Sequence, residues 1–237
     1  MDIRSISLPS RLHPTQFEAQ LDKLKSISLT SNTIISSLAT LAELYNNSIN
    51  NNLTQRSIDH ALDESVALLD CCSSIREVAQ MAKESARALQ SALRRNAAFQ
   101  NGVASYAESR KRVKKCVKKS LKALKKFKAS DVLRGVTVGV FRSALLFFFF
   151  SSSSLSFSVR SRVVRNKCEH RDDQGVVNEV GCVDLALRNI GGFDKERVMV
   201  SLQNLDCCVD GIEEGLERVF RELVRSRVNL LNIVTNH

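Results

Sequence analysis

The chain has no tryptophan, only two tyrosines and two prolines, and nine glycines in 237 residues. Each scarcity excludes something. With 5% aromatic content there is little of the alternating β-branched and aromatic pattern that marks strands, and few helix breakers leave long uninterrupted stretches. An all-α fold follows. The seven cysteines include two adjacent pairs, Cys71-Cys72 and Cys207-Cys208, and their odd number leaves one without a partner in any full pairing, which does not suit a secreted disulfide scaffold. They read as reduced thiols packed as small core residues. Adjacent helical side chains diverge by about 100°, and no C-x-x-C or neighbouring histidine ligand follows either pair, so no metal is expected. His13, His60, His170 and His237 are scattered, and the HExxH, GxxxxGK and Ser-nucleophile signatures are missing. No catalytic residue, cofactor or enzymatic activity is therefore expected. The opening residues MDIRSISLPSRLHP lack the apolar run of a signal peptide. Cytoplasmic residence is the expectation, with a Ser/Arg-rich transit peptide as the alternative.

What is present is helical periodicity in a chain of 43% hydrophobic content, enough to bury a core. A Ser/Arg-rich arm over 1–13 precedes a short helix opened by Pro14, with Phe17, Leu21 and Leu24 on one side. A second segment aligns Ile34, Leu38, Leu41 and Tyr45 and ends at the loop-forming NNSINNN. From 57 to 95 neither proline nor glycine occurs, and Leu68, Cys72, Ile75, Ala79, Ala82, Ala86, Leu89 and Leu93 recur at spacings of three and four. A helix of that length reaches nearly 60 Å, which predicts an elongated bundle. Asn101-Gly102 reads as a break before the next segment. Residues 131–150 form the most apolar helix, 161–181 a charged flexible linker, and 182–237 the helices that complete the bundle. Within the last of these, from about 194 to 235, Leu202, Leu205, Val209, Ile212, Leu216, Val219 and Leu223 form a coiled-coil-like seam. Gly211 and Gly215 lower its intrinsic helicity, so packing must stabilise it.

Charge is concentrated. Residues 108–128, ESRKRVKKCVKKSLKALKKFK, carry eleven Lys or Arg against Glu108, a local net charge of +10 that equals the formal charge of the whole chain. The rest cancels. Within the predicted basic helix 103–128, an apolar stripe of Tyr106, Val113, Val117, Leu121, Leu124 and Phe127 leaves Lys111, Lys114, Lys115, Lys118, Lys119, Lys122, Lys125 and Lys126 on the remaining surface. A thiol flanked by Lys115, Lys118 and Lys119, that of Cys116, is favoured as thiolate only if it faces outward.

The arm LPSR-x-HP (Leu8, Pro9, Ser10, Arg11, His13, Pro14), the central LLDCCSSIREVAQMAKESARALQSALRRN with its basic continuation, and the ending from Val219 to Asn232 resemble the plant-specific BYPASS-related family of helical proteins. The resemblance covers most of the chain. It implies a role in root and shoot development and carries no catalytic residues. The sequence departs from the family pattern at FFFFSSSS, Phe147 to Ser154, and in the shortened linker near 165–181.

Three uses compete for the basic helix besides simple solvation. As the face of an adaptor it binds an anionic membrane surface or an acidic protein partner, making the protein peripheral to a membrane. As a calmodulin-type target it has only one bulky end anchor, Phe127 against Val113. As a nucleic-acid element it lacks stacking aromatics and any accompanying recognition motif, so nucleic acid is disfavoured. A separate reading is a homo-oligomer joined through the C-terminal seam, with the basic face passive. For 143–159, a single transmembrane span is the weaker alternative to a bundle helix, because about 26 Å of charge-free helix falls short of roughly 30 Å of hydrocarbon.

Overall fold

The computed structural model describes residues 14–25, 29–47, 55–95, 99–149, 178–188 and 195–235. These form α1 (Pro14–Lys25), α2 (Ser31–Asn47), α3 (Gln55–Arg94), α4 (Phe99–Lys126), α5 (Val132–Phe149), α6 (Glu179–Arg188) and α7 (Lys195–Thr235), with no strand among the described residues. The all-α bundle expected from the sequence is the fold. At about 1.5 Å per residue, the 40 residues of α3 and the 41 of α7 run about 60 Å and set the long dimension. The arm 1–13 and most of the linker expected over 161–181 lie outside the described residues.

Short polar residues start the helices where the chain turns. Asp131 caps α5, its Oδ1 accepting the Arg134 N–H at 2.8 Å, and Asn178 caps α6 by accepting the Gly181 N–H at 2.9 Å. The link between α4 and α5 is only five residues long, 127–131, so the two must run antiparallel. The break expected at Asn101-Gly102 does not occur. Both residues sit in the opening turns of α4, because a Cβ on Gly102 would lie 2.8 Å from Ala92 Cβ; this glycine gives α4 clearance to approach α3 rather than ending a helix.

The core lies along α3 and α7, which pack antiparallel, with α2 seated on α7. Leu202, Leu205, Val209, Ile212, Leu216, Val219 and Leu223 are all buried, as the spacing predicts. Gly211 and Gly215 explain how α2 fits: a Cβ at 211 would meet Ile35 Cδ1 at 2.7 Å and one at 215 would meet Leu38 Cβ at 2.9 Å. The seam is thus packed within the chain by α2 and α3.

The apolar helix α5 is a bundle element. Phe141, Phe147 and Phe148 are fully buried, the last two edge to face with ring centroids 5.2 Å apart. The Thr137 hydroxyl donates to the Leu133 carbonyl at 2.8 Å, so the Tyr45 hydroxyl of α2 donates to Thr137 at 2.9 Å. Among the described residues α5 is the one helix long and apolar enough to cross a membrane, and half of it is buried in the bundle. Of the span considered at 143–159, only 143–149 fall among the described residues. At the base of α5, Arg134 Nε lies 3.1 Å from the buried Glu64 carboxylate, which also accepts the Ser130 N–H at 2.7 Å. This network fastens the α4–α5 link to α3.

The basic helix α4 packs on α3 and α5. The short link over 127–131 places α5 beside it. Short α1 rests on α5 and α2 through Leu21 and Leu24, and α6 packs on α7. Cys71 and Cys72 are core residues, but Cys208 is half-buried and Cys207 exposed, so only the first pair meets the expectation for both.

Candidate anion-binding face

The stripe read from the sequence holds the inner side of α4. Tyr106, Val113, Val117 and Leu124 are buried, while Leu121 and Phe127 pack half-buried at its edge. At 100° per residue, Lys111, Lys115 and Lys122 stand opposite that stripe. Lys114, Lys118 and Lys125 fall on the flank toward α5, where the Lys118 ammonium sits 5.8 Å from the Phe149 ring centroid. Lys119 and Lys126 fall on the other flank, with Arg112. Seven of the eight predicted lysines are exposed and Lys114 is half-buried. The structure therefore brings all eight onto one continuous outer surface.

Electrostatically, that surface is almost unanswered. Lys111 has Glu108 of its own helix at 3.2 Å. Among the described residues, no carboxylate lies within ion-pair distance of Lys115, Lys119, Lys122, Lys125 or Lys126. The helix end favours cations, since Lys125 and Lys126 occupy the last turn beside the negative end of the helix dipole.

One cation of the run behaves differently. Arg110 is buried, donating from Nη1 to the Phe148 carbonyl at 2.8 Å and from Nη2 to Asp184 of α6 at 3.4 Å. The Tyr106 hydroxyl donates to the same carboxylate at 3.4 Å. Burial, reinforced by that neighbouring charge, holds the Tyr106 phenol far above its ordinary pKa. Arg110 thus belongs to the fold, tying α4, α5 and α6 together. Its spacing, four after Tyr106 and three before Val113, is the signal that places it on the stripe. Arg112 and Lys128, both exposed, extend the outer face beyond the eight lysines.

On the α3–α7 seam, by contrast, cations are answered. Along α3 and α7, Arg76 pairs with Glu217 at 2.7 Å, Lys83 with Asp210 at 2.5 Å and with Glu213, and Arg87 with Asp206 at 2.8 Å. The hydrogen bonds that the Lys83 ammonium donates to Asp210 and then to Glu213 raise its pKa above the usual value. An open groove of about 1020 Å³ follows this ladder, bordered by Met81, Glu77 and Glu214 and, from α4, Cys116. Of its carboxylates, Asp210, Glu213 and Glu217 serve the ladder and Glu214 pairs with Arg218 of its own helix, and no group of three His, Cys, Asp or Glu able to hold a metal occurs among the described residues. Burial pushes the thiols of Cys71 and Cys72 up to about 12, and those of Cys182 and Cys208 also upward, so none of the four is poised as a thiolate nucleophile.

No curated protein and no solved structure matches the chain. Residues 20–233, from α1 to the last turn of α7, match the profile of the family described as Protein BPS1. An all-α bundle matched over that span, with the basic helix inside it, belongs to the BPS1 family, the BYPASS-related group that its sequence resembles.

Proposed function

We propose that this protein works by binding rather than catalysis, as an adaptor whose α4 lysine face engages an anionic membrane surface or an acidic partner. The BPS1 family suggests a role in plant development, and root and shoot development are the processes in which we place it. The observation that carries the reading is the contrast in charge pairing. The bundle answers its cations along α3 and α7 yet leaves Lys115, Lys119, Lys122, Lys125 and Lys126 without a carboxylate among the described residues. Like charges on one helix repel, which makes this face a cost to the fold unless something anionic meets it.

The magnitude is sufficient. Each lysine near an anionic bilayer contributes about 1 kcal/mol, so five or six give roughly 5–6 kcal/mol before any apolar contact. Two or three kcal/mol of apolar burial would bring attachment to about the micromolar range. In this reading the protein is cytoplasmic and peripheral to a membrane.

Co-sedimentation with vesicles containing phosphatidylserine tests it. The wild type is expected to pellet with anionic but not neutral vesicles, less so as salt rises. Replacing Lys114, Lys115, Lys118 and Lys119 by Gln should abolish most of that pelleting. Equal pelleting of the two proteins would refute the proposal.

A further inference from the structure

Helix α5 adjoins the lysine face, and only half of it is used by the bundle. Its inner side is fully committed through Val140, Phe141, Ala144, Leu145, Phe147 and Phe148. The opposite side carries Val132 and Gly135, which are exposed, and Gly139 and Leu146, which are half-buried, while Val138 and Phe149 at its edge pack partly against the core. Among the described residues, nothing lies within 4 Å of a Cβ built on Gly139. The charge on this side of α5 is Arg142, exposed and of the same sign as the lysines. Contact between Lys118 and the Phe149 ring joins the two surfaces directly.

We infer that the outer sides of α4 and α5 form one composite surface for an anionic bilayer, in which the α4 lysines meet headgroups while the Gly139–Leu146 side of α5 settles into the interface. This rests on the proposed anion-binding role of α4 and names its partner. Charge and polarity together select the occupant. A second copy of the chain would bring two rows of lysines together, which repel. A soluble acidic protein would answer the lysines but gain nothing from an apolar strip free of carboxylates. Anionic headgroups above an acyl boundary answer both, as interfacial helices with a basic and an apolar side do. Because α5 stays packed in the bundle, the surface lies on the membrane and does not cross it.

The chain has no tryptophan, so Gly139→Trp introduces a single fluorescent reporter where space is open. Gly135→Trp is a second reporter on the same side, its Cβ in ordinary contact with Ala129 at 3.8 Å. Val200→Trp, at a 49% exposed position of α7, is the control. Each full-length variant, shown by circular dichroism to be folded, is mixed with phosphatidylserine vesicles, with vesicles carrying brominated acyl chains, and with soluble polyglutamate. The expected result is a blue shift and bromine quenching at 139 and 135, neither at 200, and no blue shift with polyglutamate. Vesicle-bound protein whose reporters at 139 and 135 stay water-exposed would overturn the composite surface while leaving the lysine reading intact. An equal blue shift with polyglutamate would assign the face to an acidic protein instead. Failure to bind any vesicle would remove this inference together with the membrane arm of the lysine reading.

Discussion

The α3–α7 seam and the outer side of α4 are built from similar ingredients, long amphipathic helices rich in charge, yet they treat that charge in opposite ways. Along the seam, Arg76, Lys83 and Arg87 each face a carboxylate of α7, at positions that advance along one helix as they recede along the other. On α4 the lysines face outward, and Glu108 of the same helix meets Lys111. Both faces rest on a buried apolar stripe of the same 3.6-residue period. Stability therefore accounts for the stripe in both cases and for charge pairing only at the seam. The uncompensated face needs another explanation, and an anionic surface supplies one.

The largest break in this comparison comes from the seam's interior. Leu216 is fully buried, and its carbonyl accepts the Cys72 thiol, 3.5 Å away. Truncating such a leucine costs about 2–5 kcal/mol, and leaving a buried unpaired charge adds to that. Leu216→Asp should therefore unfold the protein rather than only separate protomers, read as loss of the cooperative melt in circular dichroism.

A smaller but still large effect marks the boundary between the two sides of α4. Arg110→Met leaves Asp184 and the Phe148 carbonyl without their cation, and breaking a buried pair in this way costs about 3–5 kcal/mol. Urea denaturation should show that loss, while vesicle binding at temperatures where the variant is folded should be unchanged. A variant as stable as wild type would mean that Arg110 belongs functionally with the outward lysines.

The smallest effect sharpens the contrast most. Lys83→Gln removes a half-buried cation from two carboxylates and should cost about 1 kcal/mol without altering anion binding. Lys119→Gln should leave the melting temperature unchanged or slightly raised, by easing repulsion, and weaken vesicle binding. If both substitutions move stability alike, the distinction between an answered and an unanswered face fails.

Much of this was legible in the order of residues. The apolar spacings placed α3, α5 and α7 within a few residues of their observed bounds, and the stripe from Tyr106 to Phe127 separated core from lysine face. Two features were not. Asn101-Gly102 looks like a helix break, and only the proximity of Ala92 reveals that Gly102 serves a close crossing. The seam of α7 shows its spacing, and only the seating of α2 over Gly211 and Gly215 reveals what packs on it within the chain. Those glycines appear in the sequence as weak points in a helix, since propensity is local and the neighbour that needs the clearance is some 175 residues away in the chain.

The sequence alone determined the helices, their apolar faces and the clustering of charge, because each depends on residues three or four apart. Tertiary structure decided which cations are answered. It turned Arg110 inward to Asp184, matched the bases of α3 to the acids of α7, and set the outer side of α5 beside the lysines of α4. Those pairings depend on helices distant in sequence meeting in space, where a charge's effect is set by what lies within a few ångströms of it.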